Sequence, residues 1–220
     1  MRVKNLCFQH HPEAPYFFKD LSFELEEGRI HALHGKNGMG KSVLLHILSR
    51  HIEPGALLTG EISEETAVLL SQQFDQTLVG PFTFLENLEF GSLAKFPSPF
   101  ARLKILSIPE HFLELLDRFH IDVNLPVHKL SGGQRQILAL LMKLQRNPRL
   151  LLLDEPTATL DEQNAVMVFE FLLKELNGVT MLIVCHDREL IHRYATGKHF
   201  RLEMAPSGTR QLQELVECVS

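Results

Sequence analysis

Two short, almost wholly apolar segments constrain the fold of this chain more than any other feature of its sequence. Residues 150–153 are all leucine, and residues 180–185 are apolar after the first threonine. A helical pattern over residues 161–177 separates the two segments. Apolar strands that are connected through a helix form a parallel sheet covered on both faces. The sequence therefore predicts an α/β fold whose ligand crevice lies at the carboxyl ends of these strands.

The first third of the chain has the patterns of more strands and of one helix. The helix is predicted over residues 41–50, because its apolar residues follow a glycine-rich turn and Pro54-Gly55 stops it. The strands are predicted over residues 2–8, 21–25, 30–34 and 67–70.

The middle of the chain differs in composition from both ends. Residues 74–129 are rich in phenylalanine and proline and carry helical patterns. We predict that they form a helical subdomain centred on residues 103–120. This insertion divides one domain, residues 1–220, into core segments at residues 1–73 and 130–220. A short helix is predicted at the C-terminal end, over residues 211–219.

Composition excludes several functions. The formal net charge of −5 argues against a nucleic-acid-binding surface, so no nucleic-acid partner is expected. No apolar run approaches the roughly 20 residues that a membrane span needs, and the N-terminus lacks the pattern of a secretion signal. The three cysteines, Cys7, Cys185 and Cys218, have neither disulfide nor zinc spacing, and the 12 histidines are scattered. We expect a cytoplasmic protein without a histidine-bound metal.

A glycine-rich loop lies between the predicted strand at residues 30–34 and the helix at residues 41–50. This position is the one that a phosphate-binding loop requires. Its glycines let successive N–H groups converge on a phosphate, Lys41 supplies positive charge, and Ser42 is a Mg²⁺ ligand. The nucleotide-binding residues predicted here are Gly35, Lys36, Asn37, Gly38, Met39, Gly40, Lys41 and Ser42.

An acidic pair follows the leucine strand. Asp154 is placed to hold Mg²⁺, and Glu155 to orient or deprotonate the attacking water. A second interpretation is that this acidic segment only caps the next helix, with Thr157 and Asp161 sharing the task.

The pentapeptide Leu130-Ser131-Gly132-Gly133-Gln134 is the most specific short pattern in the chain. By chance it occurs in roughly one chain of this length in several thousand. A glycine pair before an apolar helical stretch leaves backbone N–H groups free to bind an anion. The chain therefore has two predicted anion sites, although one nucleotide needs only one.

These elements together resemble the ATP-binding cassette (ABC) ATPase family, and the resemblance covers nearly the whole chain. It implies a P-loop NTPase (RecA-like) core with a mostly parallel sheet flanked by helices. It also implies an N-terminal antiparallel β part and the helical insertion. ATP and Mg²⁺ are the implied cofactors. In this family the pentapeptide, called the signature, closes over the ATP that is held by a second subunit, which gives the second anion site a purpose.

The resemblance also assigns roles to individual residues. Ser131 and Gly133 are implied to contact the partner's γ-phosphate. Residues 158–161 resemble the family's D-loop, which lies along the dimer interface and includes Leu160 and Asp161. His186 matches the switch histidine, which touches the γ-phosphate and helps to position Glu155 and water.

Two assignments stay open between neighbours. The glutamine that reaches Mg²⁺ is Gln72 or Gln73, with Gln72 preferred for its interval from the strand. The aromatic residue that stacks on adenine is placed at His10, with Phe8 and Tyr16 as the alternatives.

The phosphate loop departs from the family at two positions. Val43 stands where the family usually has threonine, which removes a hydroxyl near the α-phosphate. Met39 is bulkier than the residue often found at its position.

The resemblance predicts an ATPase subunit that drives transport through separate permease subunits. Such a subunit lies on the inner face of the cell membrane, and it pairs with an identical or a different ATPase subunit. Residues 74–93 are the predicted permease contact, and Phe82, Phe84 and Phe90 either form its apolar surface or belong to the subdomain core. Two other functions stay open: a soluble ABC ATPase outside transport, and a regulatory subunit with little turnover.

Overall fold

The computed structural model describes residues 1–63, 67–92, 108 and 110–215. Its strands are β1 (Arg2–Gln9), β2 (Phe18–Glu24), β3 (Ile30–His34), β4 (Leu57–Ile62), β5 (Ala67–Leu70), β6 (Leu150–Asp154), β7 (Thr180–Val184), β8 (His199–Met204) and β9 (Arg210–Leu215). Its α-helices are α1 (Lys41–Leu48), α2 (Phe84–Gly91), α3 (Glu110–Arg118), α4 (Gly132–Leu144), α5 (Glu162–Glu175) and α6 (Arg188–Tyr194). Two short 3₁₀ helices cover Phe74–Thr77 and Val127–Lys129. None of the helices within the described ranges is long and apolar enough to cross a membrane.

The chain divides into two compact units. The first unit comprises Met1–Ser71, Arg149–Glu155 and the chain from Gly178 onward. The second unit comprises Gln72–Pro148 and Pro156–Asn177.

The first unit contains a single nine-stranded sheet in the order β4-β1-β2-β9-β8-β3-β7-β6-β5. The run from β8 to β5 is parallel, whereas β1 pairs antiparallel with both β2 and β4. The α/β fold with a mostly parallel sheet and an antiparallel N-terminal part is therefore confirmed. Its parallel strands are buried because they are apolar on both faces: every residue of β6 and of β7 is buried.

The C-terminal helix predicted over residues 211–219 is wrong. Residues 210–215 form the strand β9, which pairs antiparallel with β8 from Arg210 opposite Met204 to Leu215 opposite His199. Leu212 and Leu215 have a helical spacing, but pairing with the two neighbouring strands, β8 and β2, decides the conformation. Residues 216–219 lie outside the described part.

The predicted insertion lies in the second unit, and its described part is helical. This part contains α2, α3 and the two 3₁₀ helices. Residues 103–107 of the predicted centre lie outside the described residues. Fully buried Phe84 and Leu88 belong to its apolar interior, and the Phe112 and Phe171 rings lie 6.2 Å apart between α3 and α5. Glu114 of α3 pairs with Lys174 of α5 at 2.7 Å on the surface.

Candidate functional site

The phosphate loop of the first unit leads into a helix whose N-terminal end is open. Gly40, the residue before α1, has φ 95°, and no side chain in the described part of the chain caps this end. The first turn also has no acidic residue, so its N–H groups are available to an anion. A Cβ at Gly40 would lie 2.5 Å from the Phe17 ring, so glycine is required both by the backbone and by the space. Four buried residues, Leu44, Leu45, Ile47 and Leu48, hold α1 in the apolar core.

The Lys41 side chain forms hydrogen bonds with the backbone of the phosphate loop. Its Nζ donates to the carbonyl oxygens of Gly35 at 2.8 Å and Lys36 at 3.3 Å. This ammonium is therefore held at the loop, where it can balance phosphate charge. Ser42 is exposed at the second position of α1.

The two departures in the loop have a packing explanation. Val43 and Met39 are both partly buried against the core cluster of the first unit. At these positions apolar contact with the core takes the place of the usual smaller or hydroxyl-bearing side chain.

The acidic pair lies at the end of β6, where Asp154 and Glu155 are only 4% and 8% exposed. Glu155 has φ 53°, and its N–H donates to the Val184 carbonyl at 2.9 Å, which places it beside the end of β7. His186 follows the end of β7 and lies beside the Glu155 carboxylate. Its backbone N–H lies 3.3 Å from Oε2 of Glu155, and its Nε2 lies 3.3 Å from Oε1.

The pKa of Glu155 is raised above its ordinary value. Burial is the main cause, and the charge and backbone N–H of His186 act in the opposite direction. The negative charge of Asp154 raises the pKa further, whereas Lys41 lowers it. A buried carboxylate with a raised pKa is a good general base, because its pKa lies closer to neutral pH than the pKa of an ordinary carboxylate.

A cavity of about 1120 Å³ opens beside the loop. His186 contributes to its wall, and so do two histidines of the sheet, His34 and His199, whose rings stack with an Nε2–Nδ1 distance of 3.1 Å. Burial is the main reason that the pKa of His34 is lowered, and His199 adds to this effect. The histidine directly before Gly35 is therefore favoured in its neutral form.

An aromatic group surrounds the other side of the loop. His10 is exposed and meets the rings of Phe8 and Phe17 edge-on, with centroids 5.0 and 4.8 Å apart. Phe8 is 3% exposed, so it has no face to offer to a base. Phe17 was missed in the sequence, although it stands in the run Tyr16-Phe17-Phe18. The guanidinium of Arg210 lies 3.6 Å from the Phe17 ring centroid and covers one of its faces.

In the second unit, the signature forms the start of α4. Ser131 caps this helix: its Oγ accepts from the Gln134 N–H at 3.2 Å, and the Gln134 side chain accepts from the Ser131 N–H at 3.0 Å. Gln134 also donates to the Phe119 carbonyl at 3.1 Å. The cap uses the third N–H of the helix, which leaves those of Gly132 and Gly133 without a partner in the helix itself. Leu130 is buried at 4% exposure.

Of the residues that the second interpretation named for capping the next helix, Asp161 has that role. Asp161 is the N-cap of α5, and its carboxylate accepts from the backbone and the side chain of Asn164 at 2.9 and 2.7 Å. Leu160 lies next to it, half-buried.

The two candidate glutamines differ in their hydrogen bonding. Gln73 precedes the first 3₁₀ helix, and its side-chain oxygen accepts from Gln76 at 3.0 Å. Gln72 is exposed, and its amide makes no hydrogen bond to any residue that the structure describes.

The segment after the glutamines is organised by a buried asparagine. Asn87 is fully buried, and its side chain bonds the backbone of Val79 in both directions and donates to the Thr83 carbonyl at 3.0 Å. Thr83 and Glu86 form a capping box at α2, and the Thr83 N–H lowers the pKa of Glu86.

The three phenylalanines for which a docking surface and the subdomain core were both open do not share one environment. Phe84 is fully buried, so it belongs to the subdomain core. Phe82 and Phe90 are 41% and 52% exposed.

The strand–loop–helix arrangement at the carboxyl edge of a parallel sheet defines the class of this protein as a P-loop NTPase. The ABC transporter family model matches residues 18–158, which is more than half of the chain. The chain belongs to the ABC transporter family and is an ATPase domain of it. The resemblance predicted from the motifs is confirmed.

Solved structures agree with this fold over almost the full chain. The dimeric bacterial ABC transporter cassette MJ0796 is 24% identical, with 98% of this chain and 99% of that chain covered and a TM-score of 0.72. A dimer of MJ0796 in a post-hydrolysis state bound to ADP and Pi, also 24% identical over 98% and 99% of the chains, has a TM-score of 0.71. CbiO1 from Clostridium perfringens, part of the ABC transporter complex CbiONQ, is 22% identical over 95% of this chain and 85% of its own, with a TM-score of 0.71.

Proposed function

We propose that this chain is an ATPase subunit that dimerises around ATP and powers transport of a substrate through separate transmembrane permease subunits. The observation that carries the proposal is the buried Glu155 carboxylate, with His186 close to both of its oxygens. This arrangement fixes the direction of a carboxylate whose raised pKa suits proton abstraction. A carboxyl group that only capped a helix would not need a histidine beside it.

In the proposed reaction, the open N-terminus of α1 and Lys41 bind the phosphates of ATP. Glu155 takes a proton from the water that attacks the γ-phosphate, and His186 holds Glu155 in position. His186 has a side chain that is 64% exposed, so its imidazole can also contact the γ-phosphate. The products are ADP and inorganic phosphate.

The residues present fit a Mg²⁺ ion. Asp154 is a buried carboxylate close enough to Glu155 for its charge to raise the pKa of Glu155, and a cation relieves this repulsion. Mg²⁺ is usually held by one or two carboxylates with phosphate oxygens and water, so a larger protein cluster is not required. Among the described residues there is indeed no group of three or more metal-ligating side chains. Asp154 and Ser42 would hold the ion, Gln72 is the further ligand that we propose, and the ion would neutralise charge on the phosphates.

We propose that the signature acts on the ATP of a second subunit, identical or different. Ser131 and the two glycine N–H groups supply hydrogen-bond donors at the start of α4, where the helix dipole favours an anion. MJ0796 is dimeric in two solved structures, one of them a post-hydrolysis state bound to ADP and Pi, and this supports the arrangement.

The proposed permease contact consists of the exposed rings of Phe82 and Phe90, which we call the docking surface. Exposed apolar patches are typical of interaction sites, so the exposure of both rings is the property that a permease contact would need. That CbiO1 is part of a larger transporter complex supports a contact of this kind. A subunit bound in this way lies peripherally on the membrane.

Replacement of Glu155 tests the chemical step. Glu155→Gln keeps the shape and removes the base, so we expect phosphate release to fall by about 10²-fold or more. ATP binding is retained, and gel filtration with ATP shows a stable dimer. Glu170→Gln on the exposed face of α5 is the matched control and keeps parental turnover. Parental turnover in Glu155→Gln would show that the base assignment is wrong.

Copurification from membranes tests the transport role and separates it from the soluble and regulatory alternatives. We expect a membrane-spanning protein to copurify with the parent and to be lost with the double replacement Phe82→Ser and Phe90→Ser. Leu113→Ser is the control, since Leu113 is 49% exposed on α3 outside the docking surface. Absence of any membrane protein from the parent, with ATP turnover intact, would favour a soluble ABC ATPase.

A further inference from the structure

We propose that Gln136 and Thr159 form a positioning pair that holds the D-loop against the signature helix inside the second unit. The pair makes the two segments, residues 158–161 and the start of α4, move as one body. This inference rests on the proposed function, in which the signature acts on the ATP of a second subunit.

Gln136 is a polar side chain in an apolar environment. It is 2% exposed, in the second turn of α4, and the next two residues, Ile137 and Leu138, are also buried. Its side-chain oxygen accepts two hydrogen bonds from one residue, Thr159: one from the backbone N–H at 3.3 Å and a shorter one from the hydroxyl. Buried amides need hydrogen-bond partners, and Thr159 provides two of them.

One glycine of the signature leaves room for a side chain of the D-loop. A Cβ at Gly133 would lie 2.7 Å from Cδ2 of Leu160, closer than real Cβ contacts, so the Leu160 side chain would have to shift. A Cβ at Gly132 would lie 3.6 Å from Cβ of Thr159, which is ordinary contact. Gly133 therefore has a second role besides exposing its N–H group: it leaves room for Leu160 on the first turn of α4.

The residues on either side of Thr159 have hydrogen bonds of their own. The Leu160 N–H donates to the Thr157 carbonyl at 3.0 Å and closes a turn, and Asp161 caps α5. Thr159 lies inside this turn and is an exposed residue. Gln136 thus attaches the middle of the D-loop to the helix that begins with Ser131.

This attachment transmits position between the two segments. If the signature tightens on a nucleotide, the D-loop is displaced with it, and the reverse also holds. Loss of the pair should therefore reduce the rate of hydrolysis in the assembled dimer without changing how the separate subunit binds ATP. Gln136 and Thr159 contact no nucleotide in this scheme, so their role is one of positioning.

Two replacements of Thr159 test the proposal. Thr159→Val keeps the shape and removes the hydroxyl donor, whereas Thr159→Ser keeps the donor. We expect Thr159→Val to lower kcat by about fivefold and to reduce the Hill coefficient for ATP, while Kd of the monomeric subunit for a fluorescent ATP analogue stays within about twofold. Thr159→Ser restores most of kcat. An unaltered melting temperature in both variants shows that the fold is intact.

A double-mutant cycle identifies Gln136 as the partner. Gln136→Leu lowers kcat to a similar degree, and the combination with Thr159→Val loses no more than the more impaired single variant. Thr59→Val makes the same chemical change at an exposed position of β4 and leaves kcat unaltered. Parental kcat in Thr159→Val, a Thr159→Ser variant as impaired as Thr159→Val, or losses that multiply in the double variant would each overturn the pair.

Ser131→Arg separates this inference from the proposed function. If Ser131→Arg abolishes cooperative turnover while Thr159→Val is parental, the signature acts across the dimer and only the pair is wrong. If Ser131→Arg keeps parental turnover, the action of the signature on a second subunit fails, and the pair fails with it.

Discussion

His186 lies against both oxygens of the Glu155 carboxylate, its backbone N–H at 3.3 Å from Oε2 and its Nε2 at 3.3 Å from Oε1. One residue thus lowers the pKa of Glu155 in two ways, while burial, the larger influence, raises it. The balance leaves the pKa above its ordinary value. If Glu155 is the base that we propose, its protonation sets the acid limit of activity, and we expect His186 to influence where that limit falls.

The pH dependence of kcat follows from the direction of this shift. Glu155 acts as a base only when it is ionised, so kcat falls as the pH drops through its raised pKa. His186→Gln removes the imidazole charge that lowers this pKa. We therefore expect the acid limb of the kcat profile to move to higher pH, measured as phosphate release at saturating ATP and normalised to the plateau.

His192→Gln is the control for the pH profile. It makes the same change of side chain at an exposed residue of α6. Its acid limb should coincide with that of the parent. An acid limb in His186→Gln that stays in place or moves to lower pH would contradict the coupling between the two residues.

The role of Gln72 is tested against its neighbour. Gln72 is exposed without a described hydrogen-bond partner, whereas the Gln73 amide is bonded to Gln76 in a local turn. We expect Gln72→Ala to raise the Mg²⁺ concentration for half-maximal turnover by about tenfold. Gln73→Ala should leave it within about twofold. The opposite result, with Gln73→Ala the more impaired, would transfer the assignment to Gln73.

The sequence predicted two strands of the parallel part of the sheet with their full bounds. Residues 30–34 and 67–70 are strands as predicted, because strands of a parallel sheet covered on both faces are apolar throughout. In the rest of the sheet, pairing decides the bounds: β2 begins at Phe18, three residues before the predicted start, since Phe18 pairs with Phe8 of β1 and with Arg210 of β9.

The site was predictable where chemistry demands a particular residue type, as in the phosphate loop. It was less so where the role depends on tertiary contact. Phe17 lies against Gly40 only because β2 brings it there, and the isolated sequence offers no reason to prefer it to Tyr16. The contact of Gln136 with Thr159 joins residues that are 23 positions apart and depends on how α4 packs.

The proposed stacking of His10 on adenine is tested most directly by measuring the affinity for ATP. It is exposed and supported edge-on by the Phe17 ring, which itself lies against Gly40 of the phosphate loop. Tyrosine has a larger ring for stacking, so we expect His10→Tyr to tighten ATP binding by about 1 kcal/mol, about fivefold in Kd, and His10→Ala to weaken it by a similar amount.

Tyr16→Ala is the control for nucleotide affinity. Tyr16 is 43% exposed, and its ring is occupied by the Lys19 ammonium at 5.9 Å from its centroid. Kd for ATP should be unaltered in this variant. Weaker ATP binding in Tyr16→Ala with parental binding in His10→Ala would mean that adenine stacks on Tyr16 instead.

The final prediction concerns the stability of the segment that follows the candidate glutamine. Asn87 is fully buried, and its amide bonds Val79 at both the N–H and the carbonyl and donates to the Thr83 carbonyl. Leucine has nearly the same volume but leaves these backbone groups without their partner. We expect Asn87→Leu to lower the free energy of unfolding by about 2–4 kcal/mol, measured by urea denaturation. Asn124→Ala, on an exposed turn where Asp122 is the one described residue that the side chain bonds, should change it by less than about 0.5 kcal/mol. Equal stability of Asn87→Leu and the parent would mean that these hydrogen bonds do not organise the segment.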